Sequence, residues 1–303
     1  METLDLSVVI LTYNEELHIR RCLDNIVSFA KQIFIIDSYS NDATLEIAKE
    51  YKNVTILQHK WENNHAKQFN WALENAPIRT KWILRLDADE YLMPDLIEEL
   101  TVRLPALDDD ITGIILKRRH YFMDKWMKRG IYPVKLLRCF QYGKGKSELK
   151  LMDEHILLLS GQWIEFENDF ADHNLNNLSW FCQKHINYAV REAAELLDIE
   201  YNFTARLDEC NKKMSEQALR KRIAKHKYVK QPLFWRSFAY FCYRYFLKGA
   251  CWEGQTGFVW TFMQGWWYRT LVDAKIYEIK KKCGNNKDKI LLCLKNEYNI
   301  SFE

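Results

Sequence analysis

The chain has 303 residues, 48% of them apolar and 14% aromatic, with a formal net charge of +3. That composition buries a core and excludes a disordered chain, and the length suits one large domain or one domain with an appendage. The net charge says little by itself; its distribution, taken up below, matters more. The first residues, Met1-Glu2-Thr3-Leu4-Asp5, lack the basic start of a secretory signal. The eight Cys are scattered without a CxxC pair, which points to free thiols in a reducing cytosol rather than to a zinc site. No uncharged apolar run reaches the roughly 18 residues of a spanning helix. The longest candidate, Gly254 to Tyr268, is bounded by Glu253 and Arg269.

In chain order, Leu6 to Leu11 read as a buried strand ending at Thr12-Tyr13-Asn14, followed by a helical pattern at Leu17, Ile19, Cys22, Leu23 and Ile26. Gln32 to Ile36 form a second strand, which stops at Asp37. Ser40 to Thr44 then open a helix, with Ser40 or Asn41 placed to cap it. Val54 to Leu57 are a third strand, His65 to Leu73 a helix, and Trp82 to Leu86 a fourth strand ending at Asp87-Ala88-Asp89. This alternation predicts an α/β fold, a mostly parallel sheet with helices on both faces. Ligands in such sheets bind beyond the carboxyl ends of the strands. Strands at Ile111 to Lys117 and Lys135 to Phe140 follow. Gly143 to Lys146 read as a flexible basic loop, and from Leu175 onward the pattern is helical.

Three polar clusters fall at predicted strand ends: Thr12 to Glu15, Asp37 to Asp42, and Asp87 to Glu90. Asp87 and Asp89, one residue apart, can both reach a hard divalent cation that shares its other positions with phosphate oxygens. The plainer reading is a pair of acids capping the next helix, which starts at Pro94. Asp37 can accept from a ribose or a base, or simply cap a helix. Tyr13, Asn14 and Glu15 offer a stacking ring and polar groups, or only a strand-to-helix turn. Lys67 can meet a phosphate, or is a solvated surface charge. Asp153 and Glu154 supply a general base for an acceptor hydroxyl, or form an acidic surface turn. His173 can complete a metal shell, although a single His is more often structural.

Taken together, these stretches resemble family 2 glycosyltransferases of the GT-A (Rossmann-like) fold. The resembling segments are Leu6 to Glu16, Ile35 to Thr44, Ala66 to Leu73 and Leu84 to Glu90. The subgroup is similar to bacterial enzymes of lipopolysaccharide core, capsule or exopolysaccharide synthesis, WaaE-like glucosyltransferases included. The resemblance implies that Thr12, Tyr13, Glu15 and Asp37 bind nucleotide. It also implies that Asp87 and Asp89 are the D-x-D motif, with Asp89 the direct ligand of Mn2+ or Mg2+ and His173 a late metal ligand. Asp153 or Glu154 would be the base; Asp precedes Glu here, the reverse of the family order, and Glu154 is favoured. The donor would be a nucleotide diphosphate sugar, by resemblance a UDP-sugar, and the transfer would invert the anomeric centre. The acceptor would be a glycan or a polyprenyl- or lipid-linked glycan.

Residues 1–110 are read as the nucleotide-sugar half of the GT-A domain, 111–185 as the acceptor half, and 186–303 as a helical, basic and aromatic appendage. Between Lys212 and Lys248 the only acid is Glu216, and rings run densely from Phe234 to Tyr268. Basic and aromatic residues on helices that cannot span suit peripheral contact with an anionic membrane, here the cytoplasmic face of a bacterial inner membrane. The plainer reading is the core of a helical subdomain or of a homo-oligomer. No RNA-binding module pattern accompanies the basic residues, so nucleic acid is not an expected partner. The rival enzymatic reading is a sugar nucleotidyltransferase, whose Gly-rich N-terminal signature is absent. The rival outside enzymes is an inactive, membrane-attached glycan-binding protein.

Overall fold

The structure, a computed structural model, describes residues 3–152, 154–204 and 215–302. Its contacts group these into two units. One is formed by residues 3–126, 132–175 and 215–218, the other by residues 127–131, 176–204 and 219–302.

The first unit is α/β. Its leading elements are β1 (Leu4–Thr12), α1 (Ile19–Ile26), β2 (Ala30–Asp37), α2 (Thr44–Ala48), β3 (Val54–Gln58), α3 (His65–Asn75) and β4 (Trp82–Asp87). There follow β5 (Glu90–Leu92), α4 (Pro94–Arg103), β6 (Ile111–Phe122), β7 (Lys125–Trp126), β8 (Val134–Gln141), β9 (Gly145–Ser147), β10 (Ile156–Leu158) and β11 (Gln162–His173). Nine strands make one sheet in the order β3-β2-β1-β4-β8-β6-β11-β5, with β7 beside β6. The pairings make β5, β7 and β8 antiparallel to the rest, so the sheet is mixed but mostly parallel.

Alternation along β1 explains why helices cover both faces. Val8 and Ile10 point into a core shared with Ile19, Cys22, Leu23 and Ile26 of α1 and with Leu96 and Leu100 of α4. Val9 points the other way, to Phe69 and Ala72 of α3 and Phe140 of β8. Leu17, part of the expected helical stripe, precedes α1 and is exposed.

Three local expectations are corrected. Ser40 and Asn41 do not cap α2: the Thr44 amide donates to Asp42 Oδ1 at 3.0 Å, while Ser40 turns back onto Asp37. Lys146, expected in a flexible loop, lies in β9, which pairs with β10. The strand at Ile111 runs on to Phe122, because Arg118 to Tyr121 pair with Phe170 to His173 of β11.

The second unit is helical: α5 (Leu178–Tyr201), α6 (Glu216–Val229) from Leu219 onward, α7 (Trp235–Cys242), α8 (Gly254–Thr261), α9 (Tyr268–Cys283) and α10 (Lys287–Tyr298). α5 starts where Asn177 accepts from the Trp180 amide at 3.0 Å. Inside this unit Glu192 Oε1 accepts from Lys225 and Arg269, each at 3.1 Å, and Arg236 forks onto Asp273 Oδ1 at 2.8 and 2.6 Å. Breaking a buried pair of this kind by removing one partner costs about 3–5 kcal/mol. Among the described residues no helix is long and apolar enough to cross a membrane.

Candidate active site

The register gathers the predicted acids at one rim. Thr12 of β1 pairs with Asp37 of β2, and the preceding Leu11 pairs with Asp87 of β4. The acids that end β2 and β4 therefore flank the same carboxyl end of β1.

Asp37 is fully buried. Its Oδ1 accepts from the Thr12 hydroxyl at 3.0 Å and from the Ser40 hydroxyl, and its Oδ2 accepts from the Ser40 amide at 2.9 Å. It thus shapes the turn after β2. Across the crevice the Asn14 amide donates to Ser40 Oγ, and Asn14 Oδ1 accepts from the Asn41 amide, both at 2.9 Å. Asn14 reaches this pose with φ 57°, a left-handed conformation that Asn tolerates. It ties two loops together and does not cap α1. Tyr13 is left exposed and available to stack.

Glu15 is held by His18, whose Nδ1 lies 2.7 Å from Glu15 Oε2 while its Nε2 accepts from the Leu175 amide at 2.9 Å. The amide must donate, so Nε2 is bare and Nδ1 carries the proton toward Glu15. His18 therefore links the turn after β1 to the segment just after His173.

Asp87 and Asp89 do not cap α4. β5 intervenes, and α4 starts at Pro94 after Met93, with no side-chain cap. Asp89 is half-buried. Its Oδ2 accepts from Asn174 Nδ2 at 2.9 Å, and its carbonyl accepts from the His173 amide at 3.0 Å. Arg21 Nη2 donates to the carbonyls of Asp89 and His173, at 3.2 and 2.5 Å, and its guanidinium stacks 4.9 Å over the Tyr91 ring. His173 stacks on Tyr121, and its Nε2 lies 2.9 Å from the exposed carboxylate of Asp124.

Two buried arginines govern the charge. Arg138 lies 2.8 Å from Glu90 and 3.6 Å from Asp87. Arg85 lies 2.9 Å from Glu154 through Nη2 and 3.9 Å from Asp87 through Nε. Burial opposes ionisation of Asp87, but Arg138 and Arg85 outweigh it and draw its carboxyl down to about 2. Glu90 is fully enclosed: burial pushes its carboxyl up to about 8, with Arg138 offsetting only part of the cost.

Glu154 precedes β10 in a loop anchored by the Glu148 amide, which donates to the His155 carbonyl at 2.8 Å. It is also anchored by Asn64 Nδ2, which donates to the Lys150 carbonyl at 3.0 Å. Asp153 lies outside the described residues. Lys67 is at the surface, 3.7 Å from Glu62.

Among the described residues no three acid, imidazole or thiol groups gather as a ready-made metal cage. The residues fit a cation bound in another way. Mg2+ is commonly held by one or two carboxylates plus substrate phosphates, and the half-buried Asp89, whose carbonyl accepts from the His173 amide, supplies one carboxylate beside an imidazole-bearing residue. Sequence reasoning did not pick out Arg85, Arg138, Arg21, His18 or Asn174. The available signal was charge inside an apolar strand, in Leu84-Arg85-Leu86 and Leu137-Arg138-Cys139.

Residues 7–162 match the model of Glycosyl transferase family 2, and the chain belongs to that family. The sheet with acids at adjoining parallel strand ends is the GT-A arrangement expected of it. The chain is 27% identical over 280 residues to the lipopolysaccharide core biosynthesis glycosyltransferase LpsC of Rhizobium meliloti (strain 1021), covering 91% of this chain and 93% of that one. The SPbeta prophage-derived glycosyltransferase SunS of Bacillus subtilis (strain 168) is 34% identical over 89 residues, which cover 29% of this chain and 21% of SunS. Among solved structures, S. aureus TarS 1-349 overlays with a TM-score of 0.44 at 13% identity, over 95% of this chain and 93% of that one.

Proposed function

We propose that the chain is an inverting, metal-assisted glycosyltransferase of bacterial cell-surface polysaccharide synthesis. It moves a sugar from a nucleotide diphosphate sugar, a UDP-sugar in the first instance, to a glycan or lipid-linked glycan acceptor. The observation that carries this reading is the Arg85 bridge, in which one guanidinium meets Glu154 through Nη2 and Asp87 through Nε at the rim of the sheet. The full-length likeness to LpsC supports a lipopolysaccharide-type acceptor.

In this mechanism Tyr13 stacks on the base, and the loops tied by Asn14 and Asp37 hold the nucleotide. Glu154 takes the proton of the acceptor hydroxyl, and that oxygen forms its bond to the sugar C1 as the bond from C1 to the phosphate oxygen breaks. The nucleotide diphosphate departs with the bonding pair. A divalent cation bound at Asp89 and His173 would neutralise that diphosphate.

The test is release of nucleotide from a panel of nucleotide diphosphate sugars with Mn2+ or Mg2+. One UDP-sugar should yield UDP, faster when a glycan acceptor is added. Pyrophosphate formed from a nucleoside triphosphate and a sugar phosphate would assign a nucleotidyltransferase instead. Binding of a donor without any turnover would assign a binding protein.

Arg21 acts in this scheme as a positioning residue. Arg21→Ala should raise the Mn2+ concentration for half-maximal binding by about 10–100-fold, the usual effect of removing a group that orients metal ligands. Mn2+ titration in the presence of UDP checks this; an unchanged affinity would separate Arg21 from the metal rim.

A further inference from the structure

α7 is built inside out. Its buried face carries Arg236, Ser237 and Phe241, and the wider helical turn that continues it, Tyr243–Leu247, buries Arg244. The exposed side is apolar: Trp235 is 72% accessible, Phe246 62% and Leu247 79%, and Trp252 just beyond is 76% accessible. A helix on a water-facing surface has the opposite pattern. The buried cations are accommodated locally. Arg236 forks onto Asp273, and the Arg244 guanidinium lies between the rings of Tyr240 and Trp260, at 5.6 and 5.8 Å. The apolar side is continuous with the next helices through ring contacts from Phe238 to Trp266 at 5.0 Å, Trp266 to Phe262 at 5.9 Å, and Phe262 to Phe258 at 6.1 Å. A contiguous patch of this kind marks an interaction surface.

The charge around the ridge says which partner. No Asp or Glu occurs between Leu219 and Lys248, whereas Lys221, Lys227, Lys230 and Lys248 are all exposed. The end of α6 adjoins α7, because Arg236 Nη1 donates to the carbonyls of Tyr228 and Val229 at 3.4 and 3.2 Å. A second copy would bring an identical acid-free cationic border against this one. An anionic lipid surface complements both the rings and the cations.

We propose that this ridge seats in the headgroup layer of an anionic bilayer. Trp235, Phe246, Leu247 and Trp252 reach toward the acyl chains, and Lys227, Lys230 and Lys248 meet lipid phosphates. The seat is peripheral, and it stands or falls independently of sugar transfer.

The test is co-sedimentation of the whole chain with vesicles of phosphatidylglycerol and phosphatidylethanolamine, and with vesicles of phosphatidylcholine alone. The chain should pellet with the anionic vesicles and stay in solution with the neutral ones. The double variant F246S/L247S should lose at least tenfold in partitioning while its melting temperature and its release of nucleotide from free donor stay as in the wild type, since both side chains face water. A wild type that stays in solution with both vesicles, equal binding to both, or a double variant that pellets like the wild type would overturn the proposal. So would a wild-type dimer that the double variant makes monomeric, which would give the ridge to a second copy.

Discussion

Asp89→Ala should abolish sugar transfer even at saturating Mn2+, with a loss of about 10³-fold or more. A bound cation supplies several kcal/mol of charge stabilisation, and each 1.4 kcal/mol is about a tenfold change in rate. The variant should still fold. The Asp89 backbone is held by the His173 amide and by Arg21, neither of which needs the carboxylate. The carboxylate itself accepts from Asn174, and losing a hydrogen bond of that kind costs about 1 kcal/mol. Turnover assayed beside a melting curve checks the prediction, and near-normal turnover would defeat the metal assignment.

Glu154→Gln separates binding from chemistry. The amide has the carboxylate's shape and can still accept from Arg85 Nη2, so the loop before β10 should keep its place. What it loses is the ability to take a proton, which is typically worth about 10²–10⁴-fold. Donor affinity, followed by calorimetry or thermal shift, should stay within about threefold, while transfer falls through that range. Loss of donor binding instead would give Glu154 a structural task, holding Arg85 away from Asp87.

The rim of strand-end acids was legible because it lies on short parallel strands buried on both faces. Runs such as Leu6 to Leu11 and Trp82 to Leu86 have no other home, and acids that terminate them must sit at the sheet's rim. β11 was not legible. Its sequence, Gln162 to His173, is rich in acids, and these obscure the alternation of Ile164, Phe166 and Phe170 with Glu165, Glu167 and Asp169 that marks a half-buried strand. The structure shows those acids answered by neighbours: Asp169 pairs with Arg119 on β6, and Asp172 with Arg118 and His120. Pairing between distant segments leaves no local mark in either of them. For the same reason Arg85 and Arg138 were passed over, since each looks out of place until its carboxylate partner is known. On α7 the basic and aromatic composition was plain, but which residues face outward was not. There the expected burial is reversed.

The short β5 has a consequence for how the catalytic centre comes into being. It follows Asp89 directly, and in the sheet it lies at the edge beside β11, with Tyr91 opposite Ala171. During synthesis from the N-terminus, β1 to β4 can assemble early, and Arg21 and Asn25 of α1 can already hold Asp89 and Leu92, yet β5 joins the sheet only once the ribosome has delivered Ala171. A nascent chain halted short of that point would carry the strand ends that bear Asp37 and Asp87 but lack the strand that seats β5, so the rim around Asp89 is completed late in synthesis.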